Sequence, residues 1–473
     1  MKLFFNLILP FICLFYSSAP AHAFDPKVEE LSKKKLPPIE EPKINIETLS
    51  NGMTVYYLQD AELPLFKLST FFETGSVYDA EPERGLAAFF MTAWRSGGSV
   101  SMPADKVDET LEFYAAQMSA SAGAELSTFE VLCLEKDVKE VLDVYFKILR
   151  EPSFQKDRVE IIRKGELNAI QRRNEEPMPI AIREFQQTLF GEKSPHAWYS
   201  SPETIRSITP DVLKAYYAEN IGTNRMWLAA TSPLAFDDFL ELLNPYVAGW
   251  KNKIPAKVFP TKIEKVWEPS TEFIQKEGNQ SAIIMGHFAE KRFNPDKYKL
   301  ILADEILGGA TFGSKLGDRI RTELGLAYGV ESNFEFSTDF GSFYMATRTK
   351  SESTVSAIRE MRKILTDMVE NKSITESEIE LARERILNRL VFEYESPYNI
   401  VVSRVRYDYF GYPENYLAEF QKQIEAVDVE QVRDVLAKYF FPDRLKLMVV
   451  GDKTKIPNLK SLAGLKDRPL DME

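Results

Sequence analysis

Histidine and cysteine are scarce in this chain of 473 residues, with three of the first and two of the second. Cys13 lies in the apolar N-terminal stretch. Cys133 therefore stands alone in the remainder, and no intramolecular disulfide can form there. The fold must be held by its core, which a chain this long can build. Cys133 sits in "FEVLCLE", an alternating strand pattern, so it reads as buried and inert rather than as a nucleophile. The shortage of histidine excludes more. A hydrolytic zinc centre draws on several His or carboxylate ligands and a general base. His196 in "KSPHAWY" and His287 in "MGHFAE" lie far apart, and neither has a second His one turn away. Neither H-E-x-x-H nor H-x-x-E-H can be written anywhere. Both histidines read as structural or solvent-facing.

Positive charge is also in deficit: 59 Lys and Arg face 71 Asp and Glu, a formal net charge of −12. That balance argues against nucleic acid or an anionic membrane surface as a partner. Beyond the N-terminus no apolar run is long enough to span a bilayer. A G-x-S-x-G elbow and a paired-cysteine motif are both missing. "GGATFGSKLG" comes near a phosphate loop, but Ser314 separates Gly313 from Lys315, so the register is wrong. It reads instead as a Gly-rich loop with special backbone angles.

What is present begins with "MKLFFNLILPFICLFYSSAPAHA". Lys2 precedes an apolar stretch from Leu3 to Tyr16 that ends in Ala21-His22-Ala23. The run is short for a membrane anchor and has a small-residue exit. It predicts a cleaved signal over 1–23, an exported protein without stable membrane insertion, and a bacterial periplasmic location. Residues 24–43 are charged and Pro-rich and read as a flexible leader. The remainder, with 44% hydrophobic and 27% charged residues over the whole chain, reads as globular.

Its grammar is used twice. After a turn at Asn51-Gly52, strands in "MTVYYLQD" and "LFKLSTFFETG" lead to a helix near 85–95, a second helix after "SMPAD", strands "SASAGAE" and "STFEVLCLE", and two further helices. Thr209-Pro210 opens another helix, and "NRMWLAATS" closes the unit. Residues 251–270, rich in Lys and Pro, read as a linker. A strand "SAIIMGHF", helices, strands "LAYGVESNFEF" and "GSFYMATRT", long helices (one opened by a Thr375/Glu378 capping box) and "LKLMVVGD" then repeat the plan. The halves are 44–250 and 271–473.

"RIRTELGLAYGV" is the most pointed local feature. Arg321 lies late in an amphipathic helix, Gly325 is a helix stop, and Tyr328 begins a strand. Such a corner can aim a guanidinium and a phenol at one peptide carbonyl or carboxylate. On residues alone, a helical Arg usually faces water and a strand Tyr usually packs.

"LSNGMTVYYLQD", "ETGSVYDAEPERGLAAFF", "SPETIRSITPDVLKAYYAENI" and "LGDRIRTELGLAYGVESNFEF" together resemble the insulinase-like (pitrilysin, inverzincin) metallopeptidase family, over about 44–455. The resemblance implies an α+β fold of two homologous α/β-roll halves, each an antiparallel sheet flanked by helices, forming a half-shell. It also implies where zinc would sit. The family's H-x-x-E-H falls on Ala88, Met91 and Thr92, and its downstream Glu on Ala169, before Ile170 and ahead of Pro177, with Glu166 nearby. Those positions lack ligand or base chemistry. The family's substrate-holding Arg and Tyr match Arg321 and Tyr328 at the same seven-residue offset, which turns the reading of that pair to a functional one.

By resemblance the chain is therefore a non-catalytic, substrate-binding subunit that binds no cofactor. It would pair in a heterodimer with a zinc-bearing insulinase-like subunit and engage an unfolded peptide. Ser119 to Glu125 is the candidate edge for strand addition, with simple packing under a helix as the equal alternative. A scaffold subunit without a part in proteolysis is the other reading. An active peptidase with unusual ligands is disfavoured by the two scattered histidines.

Overall fold

The computed structural model describes residues 37–259 and 267–470. The signal over 1–23, most of the leader and residues 260–266 of the linker lie outside the described residues.

The N-terminal sheet contains β1 (Asn45–Thr48), β2 (Thr54–Gln59), β3 (Leu65–Phe72), β4 (Gln117–Ser121), β5 (Ser127–Leu134) and β6 (Met226–Ser232). Its order is β1-β2-β6-β3-β5-β4. The C-terminal sheet contains β7 (Ser270–Gln275), β8 (Gln280–Ala289), β9 (Ala327–Phe336), β10 (Gly341–Lys350), β11 (Lys446–Gly451) and β12 (Leu465–Asp467), in the order β12-β7-β11-β8-β10-β9. Five consecutive places correspond, β2-β6-β3-β5-β4 with β7-β11-β8-β10-β9, so the repeat read from sequence is a repeat of topology.

The sheets are mixed rather than antiparallel. β6 runs parallel to β2 and antiparallel to β3, and β11 runs parallel to β7 and antiparallel to β8. The cause is the crossover. Each closing strand arrives after a long helical stretch, and only a long connection lets a strand enter parallel to its neighbour. β4 and β9 are left as edge strands.

In the N-terminal half the helices are α1 (Leu86–Ser96), α2 (Ala104–Phe113), α3 (Val138–Arg150), α4 (Lys156–Arg172), α5 (Pro177–Phe190), α6 (Pro202–Ser207), α7 (Pro210–Asn220) and α8 (Phe236–Val247). In the C-terminal half they are α9 (Lys297–Asp304), α10 (Thr354–Glu370), α11 (Glu376–Glu393), α12 (Pro397–Phe410), α13 (Tyr416–Ala426) and α14 (Val429–Tyr439). Several starts are written locally. Thr209 caps α7 ahead of Pro210, and Thr375 and Glu378 close a capping box on α11.

One face of each sheet packs on its own half's helices. Val55, Tyr57, Phe66 and Leu68 join α1 and α3 in one core, and Ile283, Met285, Leu447 and Val449 join α10 and α14 in the other. The opposite faces are covered from across the chain. Ile180, Phe185 and Leu189 of α5 pack on Ala282, Ile284, Met448 and Val450 of the C-terminal sheet. Val401 and Val405 of α12 pack on Tyr56, Phe71 and Ala229 of the N-terminal sheet. Strands buried on both faces explain the unbroken apolar runs of β8 and β11. Polar contacts follow the same exchange: the Tyr56 hydroxyl donates to Asp408 at 2.8 Å, and Ser69 hydrogen-bonds Tyr398. Even the end of the leader is held, since Ile39 exchanges backbone hydrogen bonds with the Gln421 side chain of α13.

Candidate functional site

α1 is placed by its buried face. Leu86, Phe89, Phe90, Ala93 and Trp94 enter the core, and the Trp94 indole donates to the Ile148 carbonyl at 2.9 Å. Gly85 precedes it at φ +89, where a Cβ would meet Ser200 at 2.8 Å. The Asp79 carboxylate accepts from the Gly85 and Ala87 N–H groups at 3.0 and 3.1 Å and so caps the helix. Burial nevertheless pushes its carboxyl up to about 7, against the pull of those N–H groups.

The outer face carries Ala88 and Thr92, both exposed and one turn apart. The Thr92 hydroxyl is turned back onto the Ala88 carbonyl at 3.1 Å. Met91 does not share that face. It is 1% exposed and lies inside the N-terminal core. α4 packs beside α1 and presents Ala169, exposed, and Glu166, half-buried, while Ile170 is buried. The four positions matching the family's zinc motif are thus a methyl, a thioether in the core, a hydroxyl already engaged and a second methyl. Such a donor set does not fit zinc. Among the described residues no group of three or more His, Cys, Asp or Glu side chains could share a metal ion.

Both histidines are structural. Burial holds the His287 imidazole down, to about 4. Its Nδ1 lies 2.7 Å from the Phe288 carbonyl and its Nε2 accepts the Phe441 N–H at 3.1 Å. His196 Nε2 lies 3.1 Å from Asp339, with the ring against Phe190 and Phe340. Cys133 is buried on β5, its thiol pushed up to about 12 by burial. The candidate edge Ser119–Glu125 is a strand only to Ser121. From Ala122 the chain turns towards β5, Gly123 N–H bonding the Leu126 carbonyl, and Glu125 accepts from Thr338 of the other half at 2.7 Å.

The second half of the site lies on the C-terminal sheet. Arg321 belongs to Gly317–Glu323, a π-helical turn rather than the α-helix expected, because the Leu324 N–H reaches back to the Arg319 carbonyl. Such wide turns are rare. Gly325, at φ +57, ends it in the left-handed conformation and sends the chain into β9. Tyr328, the second residue of β9, is 89% exposed. The Arg321 guanidinium lies 5.1 Å from the Tyr328 ring centre and 4.5 Å from that of Phe312, itself 67% exposed. Two aromatic faces beside one guanidinium leave its in-plane N–H groups free for a carbonyl or carboxylate. Among the described residues Arg321 has no ion-pair partner.

The sequence reading missed Phe312; a single aromatic residue inside "GGATFGSK" was the available signal. Lys315 of that loop is committed to Glu378 at 2.6 Å, and Arg385 donates to the Gly313 carbonyl at 3.2 Å, which ties the loop to α11. Arg321, Tyr328 and Phe312 stand at the rim of a cleft of about 1060 Å³ between α5 and the β8–β10–β9 face.

Comparison with known proteins bears on both halves. Residues 55–196 match the description Insulinase (Peptidase family M16), and residues 207–386 match Peptidase M16 inactive domain. The non-peptidase homolog YmxG of Helicobacter pylori is 24% identical over 407 residues, which span 85% of this chain and 92% of that protein. Subunit 1 of the mitochondrial cytochrome b-c1 complex of Bos taurus is 22% identical over 427 residues, 88% of each. The crystal structure of a peptidase M16 inactive domain from Pseudomonas fluorescens superposes with a TM-score of 0.76 over 87% of this chain and 99% of that one, at 22% identity. The last likeness speaks for the fold.

Proposed function

Since the chain belongs to the insulinase family of M16 peptidases, as a member without the zinc motif, we propose that it is the non-catalytic, substrate-binding subunit of an exported heterodimeric zinc peptidase. One observation carries the reading. The positions matching the motif offer no zinc-ligand set, while Arg321, half-buried and without an ion-pair partner among the described residues, and Tyr328, exposed, stand at the rim of a large cleft. A guanidinium without a carboxylate, braced by two aromatic rings, is arranged for a ligand more than for stability. Exposed aromatic side chains gain little for the fold by themselves. The zinc and the general base belong to a second insulinase-like chain. Arg321 donates to the carbonyl of the bound peptide, and the Tyr328 hydroxyl adds a second hydrogen bond.

The cytochrome b-c1 subunit among its relatives supports a second reading, a scaffold that assembles a complex and takes no part in proteolysis. Co-expression with the zinc-bearing homologue, followed by co-purification and a peptide-cleavage assay, separates the two. Arg321→Ala should lower kcat/KM of the complex at least tenfold, and Tyr328→Phe several-fold, without loss of assembly. Unchanged cleavage in both variants would leave the scaffold reading standing.

A further inference from the structure

The cleft beside Arg321 is sorted by charge along its length. α5 covers β8 and β11, and Ala346 and Tyr344 of β10 pack with it, which leaves the β9 side of that face open. By the two-residue alternation of a strand, Glu331, Asn333 and Glu335 of β9 face outwards on the same side, while Ser332 and Phe334 between them are buried. Across the ladder they stand beside Ala346, Tyr344 and Ser342 of β10. Glu335 accepts only from the hydroxyls of Ser337 and Ser342, at 3.2 and 3.1 Å. Neither Glu331 nor Glu335 has a cationic partner among the described residues.

The other end of the same cleft carries Arg321, Arg348 and Lys350, likewise without carboxylate partners among the described residues. The two ends do not neutralise each other. Arg348 is the diagonal neighbour of Glu331 across the ladder, near enough for long side chains to meet, yet no ion pair joins the two among the described residues. The wall above is apolar, formed by Met178, Ile182 and Phe185 of α5.

We infer that this cleft holds an extended peptide with two basic side chains four residues apart, the nearer about two residues from the carbonyl held at Arg321 and Tyr328, a specificity that rests on the substrate-binding role proposed above. An extended peptide rises by about the same 3.3 Å per residue as the strand beneath it. β9 shifts register between Ala327 and Val330, so the stretch from Tyr328 to Glu331 is shortened by about one residue; beyond it Glu331 and Glu335 stand four residues apart on one face and meet side chains at that same separation. A Lys or Arg stem lies along the apolar wall while its charged head reaches a carboxylate. A neutral peptide fills the same cleft without those contacts, and an acidic one meets repulsion.

The test uses the full mature chain and three fluorescein-labelled decapeptides on one neutral frame, with Lys, Gln or Glu at the two positions, read by anisotropy at low salt. The Lys probe should bind at least tenfold more tightly than the Glu probe, and the gap should shrink at high salt. Glu331→Gln with Glu335→Gln should erase the gap and keep binding of the Gln probe. Glu331→Lys with Glu335→Lys should reverse the order. Both positions changed, Glu331 and Glu335, are on exposed strand surface, so folding is retained and is checked by circular dichroism. Equal affinity for the three probes, a gap that survives the Gln variants, or no binding of any probe overturns the inference. Arg321→Ala separates it from the parent reading: if that variant abolishes cleavage by the complex while the charge gap is absent, the charge sorting falls and the substrate-binding role stands.

Discussion

Met91→Glu restores the general-base position of the family motif and should unfold the N-terminal half rather than activate it. Met91 is 1% exposed and packs within the same core as Phe90 and Trp94. Removing its apolar side chain from that core costs about 1.5–3 kcal/mol. The incoming carboxyl finds no partner there, which adds about 1–3 kcal/mol for an unsatisfied polar group. Keeping it protonated near neutral pH adds up to about 4 kcal/mol. A total of about 6 kcal/mol compares with the 5–15 kcal/mol of a typical fold. Ala88→His and Thr92→His, on the exposed side of the same helix, should each stay within about 0.5 kcal/mol of the parent. The assay is urea unfolding followed by tryptophan fluorescence, with the core Trp94 as a reporter. The pH dependence has a definite sign. A carboxyl whose folded pKa is raised contributes stability below its unfolded pKa and loses it as pH rises. The Met91→Glu deficit should therefore shrink from pH 8 to pH 5, by up to about 4 kcal/mol. A variant within about 1 kcal/mol of the parent at both pH values would mean that position 91 faces solvent and that the motif face had merely lost its side chains.

His287 predicts an acid limb. Its imidazole is held down from 6.5 to about 4, so the stability it protects is present above pH 6.5 and is lost as pH falls towards 4. The loss is about 3 kcal/mol between pH 7.5 and 3.5, read as the difference between parent and His287→Gln unfolding curves; a flat difference would refute it. Arg468 joins the C-terminal tail to α5 and β7, with Glu184 and Glu272 each at 2.9 Å and Gln187 at 2.8 Å. Arg468→Ala leaves the buried Glu184 half-compensated and should destabilise the chain by about 3 kcal/mol, seen as a lower urea midpoint with unchanged slope. A midpoint unmoved within error would show that the network contributes nothing net.

The repeat was legible because its signals are local. Asn51-Gly52, Thr209-Pro210 and the Thr375/Glu378 box each fix a boundary through neighbours in sequence. α5 and α12 were not legible, and they are the helices that unite the halves. α5 carries Glu184 within its buried stripe, where a charge breaks the apolar pattern until Arg183 and Arg468 are seen beside it. α12, "PYNIVVSRVRYDYF", mixes Arg, Asp and Tyr with few aliphatic residues, because its contacts are phenols and ion pairs as much as methyl groups. Of the site, Arg321, Tyr328 and Gly325 follow from a spacing. Met91 does not. The i, i+3, i+4 pattern places it with Ala88 and Thr92, and only packing shows that it turns inwards. Phe312 depends on a loop whose path is set by α11, some sixty residues later.

The exchange of α5 and α12 decides where this chain can open. Parting the halves would expose Ile180, Phe185, Leu189, Ile284, Met448 and Val450 on one side and Tyr56, Phe71, Val401 and Val405 on the other. At about 1.5–3 kcal/mol for each fully buried side chain, that is well over 10 kcal/mol. Such a cost equals or exceeds the stability of an ordinary fold. The halves therefore cannot swing apart about the segment at 251–259 while either remains folded, and they behave as one body. What stays uncovered is set by where the crossing helices stop. α12 packs chiefly on β2 and β6 and α5 on β8 and β11, away from the β4 and β9 edges of the two sheets. The part of the chain held by the crossing helices thus gives way to the β4 and β9 edges and, on the latter side, to the Arg321–Tyr328 pair.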